Sequence, residues 1–273
     1  MGECNHNCAD CAERKGGNCA GAKSFLAAAN AKSNVRKVIA VMSGKGGVGK
    51  SLVTELLAVG AARRGLKTAV LDADITGPSI PTAFGVSERV VSDGENMLPC
   101  RTATGIGVMS LNLLVENPAD PVVWRGPVIA GAVKQFWSDV AWGEVDVMFV
   151  DMPPGTGDVP LTVLQSLPVA GVVVVTSPQD LVSLIVEKAV RMADMMKVPV
   201  LGLVENMCEF RCPDCGKVHR IFGEGKSGEI AASHGIGAVA SIPIDPQYSK
   251  AVDLGAIESA DPSALDRILD AIA

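Results

Sequence analysis

Gly44, Gly49, Lys50 and Ser51 lie in SGKGGVGKS at the spacing G-x-x-x-x-G-K-S/T. Glycines at that spacing let successive backbone N–H groups curl around phosphate oxygens without Cβ clashes. The whole run Gly44, Lys45, Gly46, Gly47, Val48, Gly49, Lys50, Ser51 is therefore a candidate phosphate cradle. Lys50 would neutralise the β/γ-phosphates, and the Ser51 hydroxyl would ligate Mg²⁺. Lys45, a second lysine, follows the first glycine directly. Such a loop must be held between two elements. Upstream, the apolar run Val38–Met42 reads as a buried parallel strand. Downstream, SLVTELLAVGAARRG has the pattern of a helix, whose N-terminal dipole and free N–H groups favour an anion.

Two further stretches place carboxylates where such a loop needs them. Thr68 to Leu71 reads as a strand running into Asp72 and Asp74. Carboxylates at the C-terminal end of a strand in a doubly wound sheet sit on the ligand-binding edge. If the strand persisted, the two side chains would share a face. One would act through Mg²⁺ and the other would orient an attacking water; helix capping or a turn is the bland alternative. In VDVMFVDMPPGTGD an apolar strand ends in Asp151, the arrangement that holds Mg²⁺ through a water. Gly155 would then offer its N–H to the γ-phosphate. That contact is lost on hydrolysis, which makes the segment a switch.

The chain carries 8 cysteines, and their clustering suggests a second chemistry. Cys4, Cys8, Cys11 and Cys19 fall in a glycine-rich, polar stretch with too few apolar residues to build a core. Ordering it would need a metal or a cluster, and four thiolates suit either a 4Fe–4S cluster or zinc. Near the other end, CEFRCPDCGKVH holds Cys212 and Cys215 as C-x2-C, a tight turn that aims two thiolates at one centre. With Cys208 and His219 a single chain could complete a tetrahedral zinc site. With two chains, two ligands each would supply the four that a cluster requires. A redox dithiol is the third possibility.

The remaining pattern describes the scaffold. A chain of 273 residues with 48% hydrophobic content and a mean hydropathy of +0.30 suits one α/β domain whose sheet is buried on both faces. We divide it into a cysteine-rich segment with its linker, residues 1–34, and a nucleotide-binding domain, residues 35–273. The net charge of −6 argues against sequence-independent nucleic-acid binding. The polar N-terminus lacks the features of a signal peptide, and no apolar run approaches a membrane span, so the expected compartment is the cytoplasm. GVVVVT and Val198–Val204 are further buried strands; Ser24–Ser33 reads as a short helix or linker, and Ile129–Trp142 as an amphipathic helix. The apolar Leu265, Ile268, Leu269 and Ile272 of a final helix should dock on the core, since Arg267 is its only basic residue.

GKGGVGKS is a deviant phosphate loop that resembles the dimeric P-loop ATPases, which include the partitioning ATPases, nitrogenase iron protein and the Mrp/ApbC/Nbp iron–sulfur carriers. DMPPGTGD resembles the second switch of the Mrp type, and the resemblance covers roughly residues 35–273. It implies a doubly wound, mostly parallel sheet with helices on both faces. It also implies an ATP-hydrolysing homodimer in which Lys45 reaches the partner's nucleotide, Asp74 positions the water and Asn206 reads the adenine edge. Asp245, in PIDP, falls in a loop that closes over the base. By the same resemblance, Cys212 and Cys215 of each subunit bridge one labile 4Fe–4S cluster for delivery to apo-proteins, and one subgroup carries an N-terminal four-cysteine segment. A partitioning-type regulatory ATPase with structural zinc is the rival function. A reductase-like ATPase fits less well, because a single C-x2-C supplies both cysteines.

Overall fold

The computed structural model describes residues 25–75, 77–115, 124, 126–179 and 182–273. Cys4, Cys8, Cys11 and Cys19 lie outside the described residues. Strand β1 (Ser33–Ser43), helix α1 (Lys50–Arg63), strand β2 (Thr68–Asp72) and the short helix α2 (Ile80–Ala83) come first. A hairpin of β3 (Val91–Ser92) and β4 (Met97–Leu98) comes next, then β5 (Cys100–Arg101), β6 (Gly107–Met109), α3 (Gly126–Ser138) and β7 (Gly143–Asp151). The chain continues through α4 (Asp158–Ser166), β8 (Val169–Thr176), α5 (Val182–Met195), β9 (Val200–Arg211) and β10 (Val218–His219). It ends with α6 (Ser227–Ser233), β11 (Ala238–Ile244), α7 (Pro246–Asp253) and α8 (Asp266–Ile272).

A nine-stranded sheet has the order β10-β9-β8-β1-β7-β2-β6-β5, with β11 also paired to β9. Its central pairings are parallel, and the small strands β5 and β10 are antiparallel. The cause is visible in β1. Its first residues alternate between partly exposed and exposed, whereas Val38–Ser43 are buried on both sides. Val38, Ala40 and Met42 enter one core with Phe136, Trp137, Trp142 and Met148. Ile39 and Val41 enter the opposite core with Leu56, Leu57 and Phe149. Each such aliphatic side chain contributes about 1.5–3 kcal/mol on burial. The doubly wound sheet expected from the sequence is therefore present, and α8 docks through Ile268, Leu269 and Ile272 with its N-cap Leu265, all buried.

Two boundaries differ from expectation, and of the helix or linker expected over Ser24–Ser33 the described residues show the linker. Residues 25–30 form no helix. They are a linker pinned by Ala27, whose N–H donates to Ser166 O (2.7 Å) and whose carbonyl accepts from Trp137 Nε1 (3.1 Å). Helix α3 ends at Ser138 rather than Trp142, and Trp142 instead packs back with Nε1 donating to Phe136 O at 3.0 Å. Strand β9 does not stop near Val204 but continues to Arg211. The polar Glu205 and Asn206 break the apolar run, yet β11 and β10 supply the backbone partners that carry the strand on.

Candidate functional site

Helix α1 begins at the sheet's C-terminal edge. Its N-cap is Gly49, whose φ of 79° is the left-handed backbone that only glycine adopts without strain. No side chain caps the helix and no acidic residue sits in its first turn, so its leading N–H groups face outward for an anion. A Cβ on Gly49 would lie 2.1 Å from Asn206 Nδ2, so steric room demands glycine as well.

Register brings the carboxylates together. Asp72 of β2 pairs with Asp151 of β7 across neighbouring parallel strands. Lys50 is buried, and its Nζ donates to Asp151 Oδ2 at 2.7 Å and lies 3.5 Å from Asp74 Oδ2. Ser51 Oγ donates to the same Asp151 Oδ2 at 2.7 Å, and Thr54 Oγ1 donates to Oδ1 at 2.7 Å. Asp72 accepts from Ser110 Oγ (3.0 Å) and from the Asp74 N–H (3.1 Å). Strand β2 stops at Asp72, so the shared-face argument for Asp72 and Asp74 does not hold. Asp74 reaches Lys50 by a turn over Asp72.

Burial dominates the electrostatics. It pushes the Asp72 carboxyl well above the usual carboxylate range, with the Asp151 charge adding to it and the Ser110 hydrogen bond and Lys50 opposing it. Glu55 of α1 behaves alike: burial first, then Asp151 and Asp72, raise its carboxyl against the pull of Lys50. Its Oε2 is buried without a hydrogen-bond partner.

The loop's other groups are already engaged. Gly155 N–H donates to Ser43 O at 2.8 Å, and Lys45 Nζ donates to Gln179 Oε1 at 2.5 Å within the same chain. Asn206 is buried, and its Nδ2 donates to Val48 O at 2.9 Å. Asp245 is the N-cap of α7, its carboxylate accepting from Gln247 N–H. Sequence reasoning brought Lys50, Ser51, Asp74 and Asp151 to one place. It missed Thr54, Ser110, Gln179 and Glu55. Thr54 stands one helical turn beyond Lys50 and was findable by that spacing, whereas Gln179 and Ser110 carry no local signal.

The second candidate site is the turn between β9 and β10. Cys212 N–H donates to Lys217 O and Gly216 N–H to Cys212 O, both at 2.9 Å. Gly216 adopts φ 70°, closing the turn. Backbone N–H groups of Cys215 and Asp214, then the Cys215 side chain, hold the Cys212 thiol below its usual range. A thiolate met by peptide N–H groups is prepared for a metal. By contrast, burial and the charges of Glu209 and Glu205 push Cys208 up. Among the described residues no group of three or more His, Cys, Asp or Glu could hold a metal ion. The single-chain zinc site with Cys208 and His219 is thus not assembled.

A strand, an uncapped glycine-led helix start and a serine–aspartate pair beside a buried lysine define a P-loop NTPase. A family model described as ParA: NUBPL iron-transfer P-loop NTPase matches residues 34–273. The iron-sulfur cluster carrier protein of Clostridium perfringens is 43% identical over 267 residues, covering 92% of this chain and 93% of its own. The protein of the same name from Methanocaldococcus jannaschii is 42% identical over 262 residues, covering 93% and 90%. A nucleotide-binding protein from Archaeoglobus fulgidus, solved in complex with ADP and with cobalt found in it, superposes with TM-score 0.75 at 46% identity. The match covers 84% of this chain and 91% of that one. The Pyrococcus furiosus cell division ATPase MinD shares the fold at TM-score 0.61 and 20% identity, over 86% of this chain and 98% of that one. The chain belongs to the iron–sulfur cluster carrier family of P-loop NTPases.

Proposed function

We propose that this chain binds and hydrolyses ATP and carries a labile 4Fe–4S cluster between two copies of itself, passing it to apo-proteins. One observation carries the reading. Each chain presents Cys212 and Cys215 in one tight turn, the Cys212 thiol held below its usual range chiefly by backbone N–H groups, with no third ligand assembled beside them among the described residues. Two copies related by a two-fold axis would supply the four thiolates a cluster takes. Cys4, Cys8, Cys11 and Cys19 would hold a further cluster.

The nucleotide chemistry rests on the residues at the loop. The first-turn N–H groups of α1 and the backbone of Gly44–Gly49 bind the phosphates, and Lys50 leaves Asp151 to meet them. Ser51 and Asp151, already joined by a hydrogen bond, are the groups that would hold Mg²⁺, with Asp72 behind them. The ion supplies neutralising charge for the phosphates. Asp74 orients the attacking water, Gly155 exchanges Ser43 O for the γ-phosphate, and Asn206 turns its amide to the base. Lys45 exchanges Gln179 for the partner's nucleotide. The related Schizosaccharomyces japonicus protein is named a probable cytosolic Fe-S cluster assembly factor, at 39% identity over 239 residues that cover 81% of this chain and 39% of that one. We infer a cytoplasmic homodimer that binds neither nucleic acid nor membrane. No described helix is long and apolar enough to span a bilayer.

The test is the iron, acid-labile sulfide and zinc content of anaerobically purified protein, wild type and Cys212→Ala/Cys215→Ala. Iron and sulfide near four of each per bridging site, lost from that site in the double variant, are the expected result. Stoichiometric zinc that persists through cluster reconstitution would instead make the protein a nucleotide-switched regulatory ATPase with structural metal.

A further inference from the structure

Strand β9 joins the two sites directly. Its residue Asn206 abuts the phosphate loop, and its end leads into Cys212. Between them the strand is irregular. Ile242 of β11 pairs with Asn206, but Ile244 pairs with Phe210, so two steps along β11 match four along β9. The surplus forms a bulge over 207–209. Met207 within it has φ 61°, in the left-handed region. Only Lys197 shares that feature among the described non-glycine residues. A side chain held in this conformation persists only while its surroundings hold it, and bulges of this kind re-aim the strand beyond them.

The surroundings here are Asn206 and the phosphate loop. Asn206 Oδ1 accepts from the Met207 N–H at 3.0 Å, while Nδ2 donates to Val48 O at 2.9 Å. One amide thus fixes the bulge with its oxygen and reads the loop with its nitrogen. Both side chains rest on Gly49: an added Cβ there would meet Asn206 Nδ2 at 2.1 Å and Met207 Cε at 4.0 Å. Any shift of Gly49 as phosphate engages the helix start must therefore displace Asn206. A base that takes the Asn206 amide would also remove the restraint on Met207. Beyond the bulge, Phe210 and Arg211 pair with His219 and Val218, so β10 and the cysteine turn move with this end of β9.

We propose that Asn206 and Met207 are positioning residues that couple occupancy of the phosphate loop to the placement of Cys212 and Cys215. The coupling rests on the carrier reading above for its purpose, but not for its measurement. Release of Asn206 from Val48 lets the Met207 backbone leave the left-handed region, which changes the offset of the bulge and turns the hairpin. The link runs inside one chain along one strand; the left-handed Met207 is the state seen here, and a relaxed backbone would be the second state that transmission between sites requires.

The experiment is alkylation of the reduced, cluster-free full chain by iodoacetamide, with and without saturating Mg²⁺ and a non-hydrolysable ATP analogue. The rate at each cysteine is read by mass spectrometry, and nucleotide binding is measured separately by calorimetry. In the wild type the nucleotide should change the Cys212 rate about fivefold or more, with Cys100 as the unresponsive internal reference. Met207→Gly takes either backbone state freely. It should cut the response below about twofold while nucleotide affinity stays within about twofold of wild type. Met207→Asn, which tolerates the left-handed region, should keep the response. An unchanged Cys212 rate in nucleotide-bound wild type overturns the coupling, as does a full response in Met207→Gly. Iron and sulfide bound without a nucleotide response would sink the coupling and leave the carrier. A nucleotide response in a protein that takes no iron would support the coupling and sink the carrier. Failure to bind the analogue at all would overturn both.

Discussion

Lys50 Nζ sits 2.7 Å from Asp151 Oδ2, and the lysine and aspartate are both buried. The residue expected to meet phosphate thus neutralises the carboxylate expected to hold Mg²⁺. Nucleotide and ion must arrive together for both charges to stay compensated, because an uncompensated buried charge is costly.

Lys50→Ala tests that exchange. Asp151 would keep its hydrogen bonds from Ser51 and Thr54 but lose its counter-charge. We expect a stability loss of up to about 3 kcal/mol in urea denaturation. Affinity for an ATP analogue should fall by about 10- to 100-fold, the roughly 1.5–3 kcal/mol of a lost hydrogen bond to a charged group. Iron and sulfide content should hardly change, since Lys50 is not among the residues that would hold the cluster. Delivery should fail, so cells relying on the variant should not activate a 4Fe–4S enzyme. Full activity of that enzyme would show that nucleotide hydrolysis is not needed for delivery.

Gly49→Ala attacks the same loop through shape alone. The new methyl meets Asn206 Nδ2 at 2.1 Å, and φ 79° is strained for alanine. Strain and displacement together should cost about 2–4 kcal/mol and abolish nucleotide binding. Gly47→Ala is the control for space. Its φ of 80° is as unfavourable, but nothing stands within 4 Å of the added atom. It should cost only about 1–2 kcal/mol. Equal losses in both variants would mean that the Asn206 contact adds nothing.

The parallel sheet was legible because its strands announce themselves. Val38–Met42, Val147–Val150 and Val172–Val175 are apolar on both faces, and only a sheet covered by helices on both sides buries such runs. Lys50, Ser51 and Asp151 were legible as a site because the motif fixes their place at strand ends. The hidden features depended on pairing. Strand β9 runs on through Asn206 to Arg211 only because β11 and β10 flank it, which no local pattern records. Gln179 and Ser110 touch the site from segments whose residue types are ordinary for loops. The buried Glu55 reads in sequence as a solvated helix residue and lies instead against the sheet's acidic edge.

Lys45 is held by Gln179 of its own chain. If Lys45 acts on a second copy's nucleotide, this bond must break as two chains meet. Gln179→Ala removes the restraint without touching the phosphate loop. A half-buried hydrogen bond to a charged group is worth about 1.5–3 kcal/mol at most, and each of the two chains breaks one, so dimerisation with ATP should tighten by about 100-fold or more. Sedimentation in the presence of an ATP analogue reads this directly. Lys45→Ala should abolish the analogue-dependent dimer, and the double variant should behave like Lys45→Ala. Weaker dimerisation in Gln179→Ala would mean that Gln179 itself supports the interface.

Glu55 offers a pH test of how the site stores charge. Its carboxyl is pushed well above the ordinary range by burial, then by Asp151 and Asp72. In the unfolded chain it ionises near its ordinary value of about 4.3. Below that pH both states hold the proton, and Glu55 does not penalise folding. As pH rises the unfolded chain releases its proton first. The folded state then loses stability at up to about 1.4 kcal/mol per pH unit, until the folded group ionises too. Glu55→Gln is uncharged throughout and can donate to the neighbouring carboxylates. Its stability relative to wild type should be close to equal at pH 4 and should grow through pH 5 and 6, reaching about 1–3 kcal/mol at pH 7. Asp72 is raised by the same kind of burial and its charge acts on Glu55, so the difference between the two proteins reports Glu55 together with its coupling to Asp72. Urea denaturation of the nucleotide-free protein from pH 4 to 8 measures that difference. A difference that shrinks with rising pH would show Glu55 ionised and paired in the folded protein.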